Sequence, residues 1–93
     1  MNMKHVDGEK KNDLVLYALS TCGWCKKTKA FLNDLRVGYD YVNVDELAGE
    51  EREQAIAGLQ RWNPKCSFPS LVVNSDRCVV GYDEKKIREA LGL

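Results

Sequence analysis

Between positions 14 and 44 an apolar run, a helical pattern and an alternating run follow one another, and no other feature of the chain restricts its fold as far. Leu14-Val15-Leu16-Tyr17-Ala18-Leu19 is continuously apolar, which suits a strand buried on both faces rather than a half-exposed one. Ser20, Thr21 and Cys22 are competent to cap a helix. Cys25, Thr28 or Lys29, Phe31, Leu32 and Leu35 then recur at three- and four-residue intervals until Gly38 stops the pattern. Tyr39-Asp40-Tyr41-Val42-Asn43-Val44 alternates with the aromatic and β-branched bias of a strand. A strand, a crossover helix and a second strand in so short a span predict a right-handed βαβ unit.

The remainder extends this unit. A second helix is expected from about Ala48 to Trp62, with Ile56 and Leu59 inward, Gly58 as a local weakness, and Asn63-Pro64-Lys65 as its end. Phe68-Pro69-Ser70-Leu71-Val72-Val73 reads as a third strand whose proline must sit where no ladder donor is needed. The short Asn74-Ser75-Asp76-Arg77 link into Cys78-Val79-Val80-Gly81 makes an antiparallel hairpin. Asp83 caps a last helix with Ile87, Ala90 and Leu91 inward and Gly92 at its end. Residues 1–12 are polar and aperiodic and read as a mobile tail without a core, leaving 13–93 as one domain of order β-α-β-α-β-β-α.

Ninety-three residues allow only one small core. Lys+Arg 14 balance Asp+Glu 14, which argues against the basic surface that nucleic acids or anionic membranes require, and a monomer is expected. The apolar run at 14–19 is too short for a secretory signal and no stretch is long enough to cross a bilayer, so the expected compartment is the cytoplasm. There thiols stay reduced, and the four cysteines point to redox chemistry or metal binding rather than a disulfide scaffold. Structural zinc sites usually present two close cysteine pairs; this chain has one, Cys22 and Cys25, with Cys66 and Cys78 far off and its single histidine, His5, in the polar tail.

Cys22-Gly23-Trp24-Cys25 falls where the first strand gives way to the first helix. Unpaired N–H groups and the positive helix end favour an anionic sulfur at Cys22, and Lys26 and Lys27 add positive charge. Cys25, one turn into the helix on its core side, is shielded yet within reach of Cys22. The expected chemistry is thiol–disulfide exchange. Cys22 attacks a substrate disulfide, and Cys25 resolves the mixed disulfide, leaving a Cys22–Cys25 bond for an external reductant.

Tyr17 through Lys27, Ser67-Phe68-Pro69 and Val80-Gly81-Tyr82-Asp83, taken together, resemble the glutaredoxins of the thioredoxin superfamily over about residues 13–93. The resemblance implies an α/β, thioredoxin-like fold with a four-stranded mixed sheet flanked by three helices. It implies a dithiol oxidoreductase that reduces protein or glutathione mixed disulfides without a bound cofactor. It also implies a cis Phe68–Pro69 peptide facing the cysteines, the backbone before Pro69 pairing with the bound thiol substrate like an added strand. Gly23 and Trp24 would contact substrate, and Gly81 with Asp83 would cap a bound peptide or glutathione. Electrons would come from glutathione or from thioredoxin reductase. Leu19 stands where glutathione-binding members often carry a basic residue, and Val80-Gly81 where they have a glycine pair, which brings this segment closer to redoxins of which some are reduced by thioredoxin reductase. Thioredoxin's buried acid on the first strand has Leu16 in its place, so the sequence names no base for Cys25.

Some glutaredoxins share an iron–sulfur cluster between two chains. A second reading therefore makes Cys22, with Cys25 or Cys66, a ligand of iron–sulfur or zinc, and a third is a redox-inert interaction module. Cys66 reads as a reduced loop thiol or a third redox thiol, and Cys78 as core packing. Trp24 reads as a substrate contact or a cover over the loop, Trp62 as a packing anchor, and Lys26, Lys27 and Lys29 as a solvated helix face or an attraction for an anionic substrate.

Overall fold

The computed structural model describes residues 3–93 as β1 (Lys4–Val6), β2 (Leu14–Ala18), α1 (Gly23–Asp34), β3 (Tyr39–Asn43), a 3₁₀ turn (Val44–Glu46), α2 (Gly49–Gln60), β4 (Ser70–Val73), β5 (Arg77–Val80) and α3 (Glu84–Leu91). The strands form one sheet in the order β1-β3-β2-β4-β5. β2 is central, parallel to β3 as a βαβ unit requires; β4 lies antiparallel on its other side and forms the hairpin with β5. Among the described residues no helix is long and apolar enough to cross a membrane.

The continuous apolar run of β2 serves two cores. Leu14, Leu16 and Ala18 pack on one face with Phe31 and Leu32 of α1 and Ile87 and Leu91 of α3. Tyr17 and half-buried Val15 face the other way, against Ala55 and Leu59 of α2. Pleat alternation thus places two helices over one face and one over the other. Gly58, expected to weaken α2, also lets that helix approach the sheet. A Cβ there would lie 2.8 Å from the Tyr17 hydroxyl. Ala55, rather than Ile56, joins Leu59 at the buried centre of the contact.

The sheet has five strands, not four, because residues 1–12 are not a free tail over their described part. Lys4, His5 and Val6 pair with Tyr41, Asp40 and Tyr39 of β3. His5 Nδ1 lies 2.7 Å from Asp40 Oδ1 and its Nε2 3.1 Å from Asp7 Oδ1, so the histidine expected to be stranded belongs to the added edge. Beyond it the chain hooks under the start of β3. Glu9 N–H donates to the Arg36 carbonyl at 2.9 Å, and the Gly38 N–H donates to the Glu9 carbonyl at 3.0 Å. Gly8 passes so close that a Cβ would stand 2.5 Å from the Gly38 nitrogen and the Val37 carbonyl carbon. A three-residue strand cannot show periodicity, and this one gains its stability from a partner distant in sequence.

The last helix follows its sequence signals. The Asp83 Oδ1 accepts the Lys86 N–H at 3.0 Å, and Gly92 takes the left-handed conformation, φ 77, that closes α3.

Candidate active site

β2 ends beside β3 and β4, and the chain turns through Ser20 and Thr21 into α1. Cys22 is the N-cap of that helix. Its backbone is extended, φ −84 and ψ 117, its carbonyl accepts the Lys26 N–H at 3.1 Å, and its Sγ accepts the Cys25 N–H at 3.1 Å. Sulfur occupies the position where an Asp or Ser oxygen ordinarily satisfies a free helix N–H, so a negative sulfur would meet an aligned donor and the positive end of the helix. No acidic residue occupies the first turn to oppose it.

Cys25 has no solvent exposure and belongs to the core cluster of Leu16, Phe31 and Leu32. Burial, reinforced by the Cys22 side chain, pushes its thiol up to about 12, against a smaller opposing influence from the Leu19 backbone. The pair is therefore divided: a half-exposed sulfur with a backbone donor, and a buried thiol that keeps its proton. All four cysteines are free thiols.

The Phe68–Pro69 peptide is cis and Pro69 is buried. Its carbonyl accepts the Gly81 N–H at 2.8 Å, which ties the start of β4 to the end of β5. Trp24, Phe68, Pro69, Gly81 and Tyr82 line an open cavity of about 240 Å³. Four of the residues expected at the substrate site thus meet around one hollow. Gly23 opens α1 beside them. Asp83 does not line the hollow, since its carboxylate is engaged in capping α3. A larger hollow of about 410 Å³, between β1 and the 3₁₀ turn, carries no cysteine among its lining residues.

Tyr82 is the lining residue to which sequence reasoning gave no role. Its ring stacks on Trp24, centroids 5.9 Å apart and planes inclined 27°, and meets Phe31 edge-on at 6.3 Å. Its hydroxyl bonds Glu84, and that carboxylate holds the Tyr82 pKa above the ordinary tyrosine value. Trp24 remains 58% exposed, stacked on Tyr82 with Lys27 Nζ 4.6 Å from the ring centre. The only sequence signal for Tyr82 was an aromatic placed between a glycine and a helix cap.

Asn63 organises the loop leading to Pro69. Its buried Nδ2 donates to Ser67 Oγ at 2.8 Å and to Ser70 Oγ at 3.1 Å, while its Oδ1 accepts the Lys65 N–H at 3.2 Å. A buried amide satisfied on both ends is a rigid knot, and it lies between α2 and β4 where no periodicity marks it. On the other side of the site, Ser20 donates from its N–H and hydroxyl to Asp45, and these bonds hold the Asp45 carboxyl below the usual carboxylate range.

Cys66, at a left-handed φ of 51, and Cys78 pack with Trp62 against the α2-side core, while Cys22 packs against the opposite one. Burial pushes the Cys78 thiol up, as expected for a packing residue. Trp62 is the packing anchor its position suggested. Lys29 departs from the solvated face: it is half-buried, its Nζ 3.1 Å from Asn43 Oδ1.

Comparison with known proteins agrees with this fold. The glutaredoxin family profile matches residues 14–78. The crystal structure of the glutaredoxin from Methanosarcina mazei Go1 is 48% identical, with a TM-score of 0.92 over 98% of this chain and 88% of that one. Methanosarcina acetivorans methanoredoxin is 50% identical, with a TM-score of 0.88 over 92% of this chain and 90% of that one. An uncharacterised glutaredoxin-like 8.6 kDa protein from the rubredoxin operon of Clostridium pasteurianum is 32% identical over 77% of this chain and 88% of its own length. A family profile that spans most of the chain and relatives matched over most of their own length show that the chain belongs to the glutaredoxin family.

Proposed function

We propose that this protein is a dithiol thiol–disulfide oxidoreductase that reduces disulfides of other proteins or of glutathione adducts through Cys22 and Cys25. The observation that carries the reading is the division between the two sulfurs. Cys22 Sγ is half-exposed at the helix N-terminus with the Cys25 N–H 3.1 Å away, and Cys25 lies wholly buried behind it. The Cys22 thiolate attacks one sulfur of the substrate disulfide, and the other sulfur leaves as a thiol. Cys25 then attacks Cys22 Sγ, expelling the second substrate thiol and leaving the Cys22–Cys25 disulfide, which two electrons and two protons from an external reductant restore. No bound cofactor takes part.

The groove of Trp24, Phe68, Pro69, Gly81 and Tyr82 is the docking place for the segment around the substrate cysteine. Its apolar lining and the stacked Trp24 and Tyr82 favour a polypeptide over a small anion. Leu19, rather than a basic residue, beside the cysteines agrees with a protein substrate and with thioredoxin reductase or a related dithiol system as electron source. A reducing compartment, the cytoplasm, suits this chemistry.

Trapping tests the proposal. Cys25→Ser should accumulate a mixed disulfide with substrate through Cys22, and Cys22→Ser should lose disulfide reduction; wild-type rates in Cys22→Ser would sink it. A coupled assay comparing glutathione plus its reductase with thioredoxin plus its reductase then identifies the electron source. Anaerobic purification that yields a coloured, iron-containing chain ligated by Cys22 would replace the dithiol reading with the cluster-binding one.

A further inference from the structure

Cys25 must lose a proton to attack, yet its burial holds that proton, and β2 offers no acid beside it. A candidate for help is a residue expected to face solvent. Lys29 follows Cys25 by four positions on α1, which places the two side chains on one side of the helix about one turn apart. Lys26 and Lys27 are exposed, but Lys29 is half-buried and doubly held. Its Nζ donates to Asn43 Oδ1 at 3.1 Å and lies 4.1 Å from the centre of the Tyr41 ring. Asn43 is fixed in turn, its Nδ2 donating to Glu46 Oε1 at 2.8 Å.

The charged and titratable groups around the Lys29 ammonium are Cys25 on α1, Asp45 and Glu46 on the 3₁₀ turn, and Lys4 on β1. Those acting on Cys25 are Cys22 and Lys29. Asp45 is engaged by Ser20 and Glu46 by Asn43. Cys25 is thus left as the titratable partner of Lys29 on its own helix.

We propose that Lys29 is a positioning residue for the resolving step, its ammonium, fixed by Asn43 and Tyr41, supplying the positive field in which the Cys25 sulfur becomes the attacking thiolate. The inference rests on the dithiol reading above and names the group that reading lacks. In the step itself, the Cys25 S–H bond breaks and its proton passes to solvent. The sulfur forms a bond to Cys22 Sγ, and the bond from Cys22 to the substrate sulfur breaks, the substrate leaving as a thiolate that takes up a proton. Lys29 keeps its own protons throughout.

Removing the charge lowers the thiolate fraction of Cys25, but the more basic thiolate is also the better nucleophile. With a Brønsted coefficient of about 0.4–0.5, each tenfold loss of thiolate slows attack only about threefold. A cation one turn away is thus expected to change the resolving rate roughly three- to tenfold.

Stopped-flow mixing of the reduced protein with excess dithiobis(nitrobenzoate) reads the two steps separately. Attack by Cys22 releases one coloured thiolate in a phase proportional to reagent concentration, and attack by Cys25 releases the second in a phase independent of it. Lys29→Met, which retains the apolar stem over Tyr41, should slow the second phase three- to tenfold and leave the first unchanged, and Lys29→Arg should recover most of the rate. Asn43→Ala, which frees the ammonium without removing it, should show the same selectivity and serves if Lys29→Met folds poorly. An unchanged second phase in both Lys29→Met and Asn43→Ala, equal slowing of both phases, or an arginine variant as slow as the methionine variant would overturn the role of Lys29. A wild-type protein without any release independent of reagent concentration would overturn the dithiol reading itself, since direct attack by the partly exposed Cys66 and Cys78 stays proportional to reagent.

Discussion

Burial of the Cys25 thiol links the proposed redox pair to the stability of the reduced protein, and alkali is the perturbation that exposes the link. Cys25 is raised from the ordinary 9.0 to about 12, chiefly by burial. On unfolding, the thiol regains its ordinary acidity, so between these two values the unfolded chain releases a proton that the folded chain keeps. The reduced protein therefore has the full benefit of this group below about pH 9 and loses it as pH rises toward 12. A difference of about three pKa units sets a ceiling of about 4 kcal/mol, of which about 1 kcal/mol is lost by pH 10. For a domain of this length that is a fall of roughly 4–8 °C in Tm. Burial also raises Tyr17, Tyr39 and Cys78, which weaken the fold in the same pH range, so the measurement must be a difference. Thermal unfolding of reduced wild type and Cys25→Ala between pH 8 and 10.5 isolates the cysteine. At pH 8 the alanine variant should be the less stable, through lost packing, and by pH 10 about 1 kcal/mol of that gap should be gone. A gap independent of pH would show that Cys25 ionises as readily in the folded protein as in the unfolded one, and the division of roles between the two sulfurs would lose its physical basis.

Two further substitutions probe the scaffold and the groove. Gly58→Ala sets a helix-propensity gain of about 1 kcal/mol against crowding of the Tyr17 hydroxyl, 2.8 Å from the new Cβ. Tyr17 is held in the packed α2-side core, so crowding, worth about 1–3 kcal/mol, should win, and urea unfolding should show a net loss; a gain in stability would mean the Tyr17 ring can move aside. Trp24→Ala should raise KM for a protein disulfide about tenfold, as truncation of an aromatic anchor commonly does, and leave the rate with a small symmetrical disulfide unchanged; equal effects on both substrates would remove Trp24 from the docking surface.

Much of the architecture is legible in the order of the residues. The two-faced apolar run 14–19, the helical spacing that follows it and the turn at Asn74 each express a local rule, and the central strand, crossover helix and β4–β5 hairpin follow from them. The same holds for Asp83 and Gly92, whose capping roles are set by their own side chain or lack of one. Legibility failed where a residue's meaning depends on a distant neighbour. Lys4–Val6 is a strand because β3 presents a free edge, Gly8 matters because Gly38 passes beside it, and Gly58 because the Tyr17 hydroxyl does.

The reactive pair shows the same boundary at the scale of chemistry. The spacing of Cys22 and Cys25 at a strand-to-helix junction was sufficient to place one sulfur at the helix start and the other on its core side, because helix capping and one helical turn are local geometry. Which side chains surround those sulfurs was not local. Tyr82 joins Trp24 from the far end of the chain, Asn63 braces the proline loop, and Lys29 turns inward because Asn43 and Tyr41 of β3 receive its ammonium. The sequence by itself determined the succession of elements from β2 onward and the placing of Cys22 and Cys25 at the start of a helix. Only the tertiary structure decided the order of the strands in the sheet and which side chains line the hollow beside Trp24, since those arrangements arise between groups that meet when the sheet assembles.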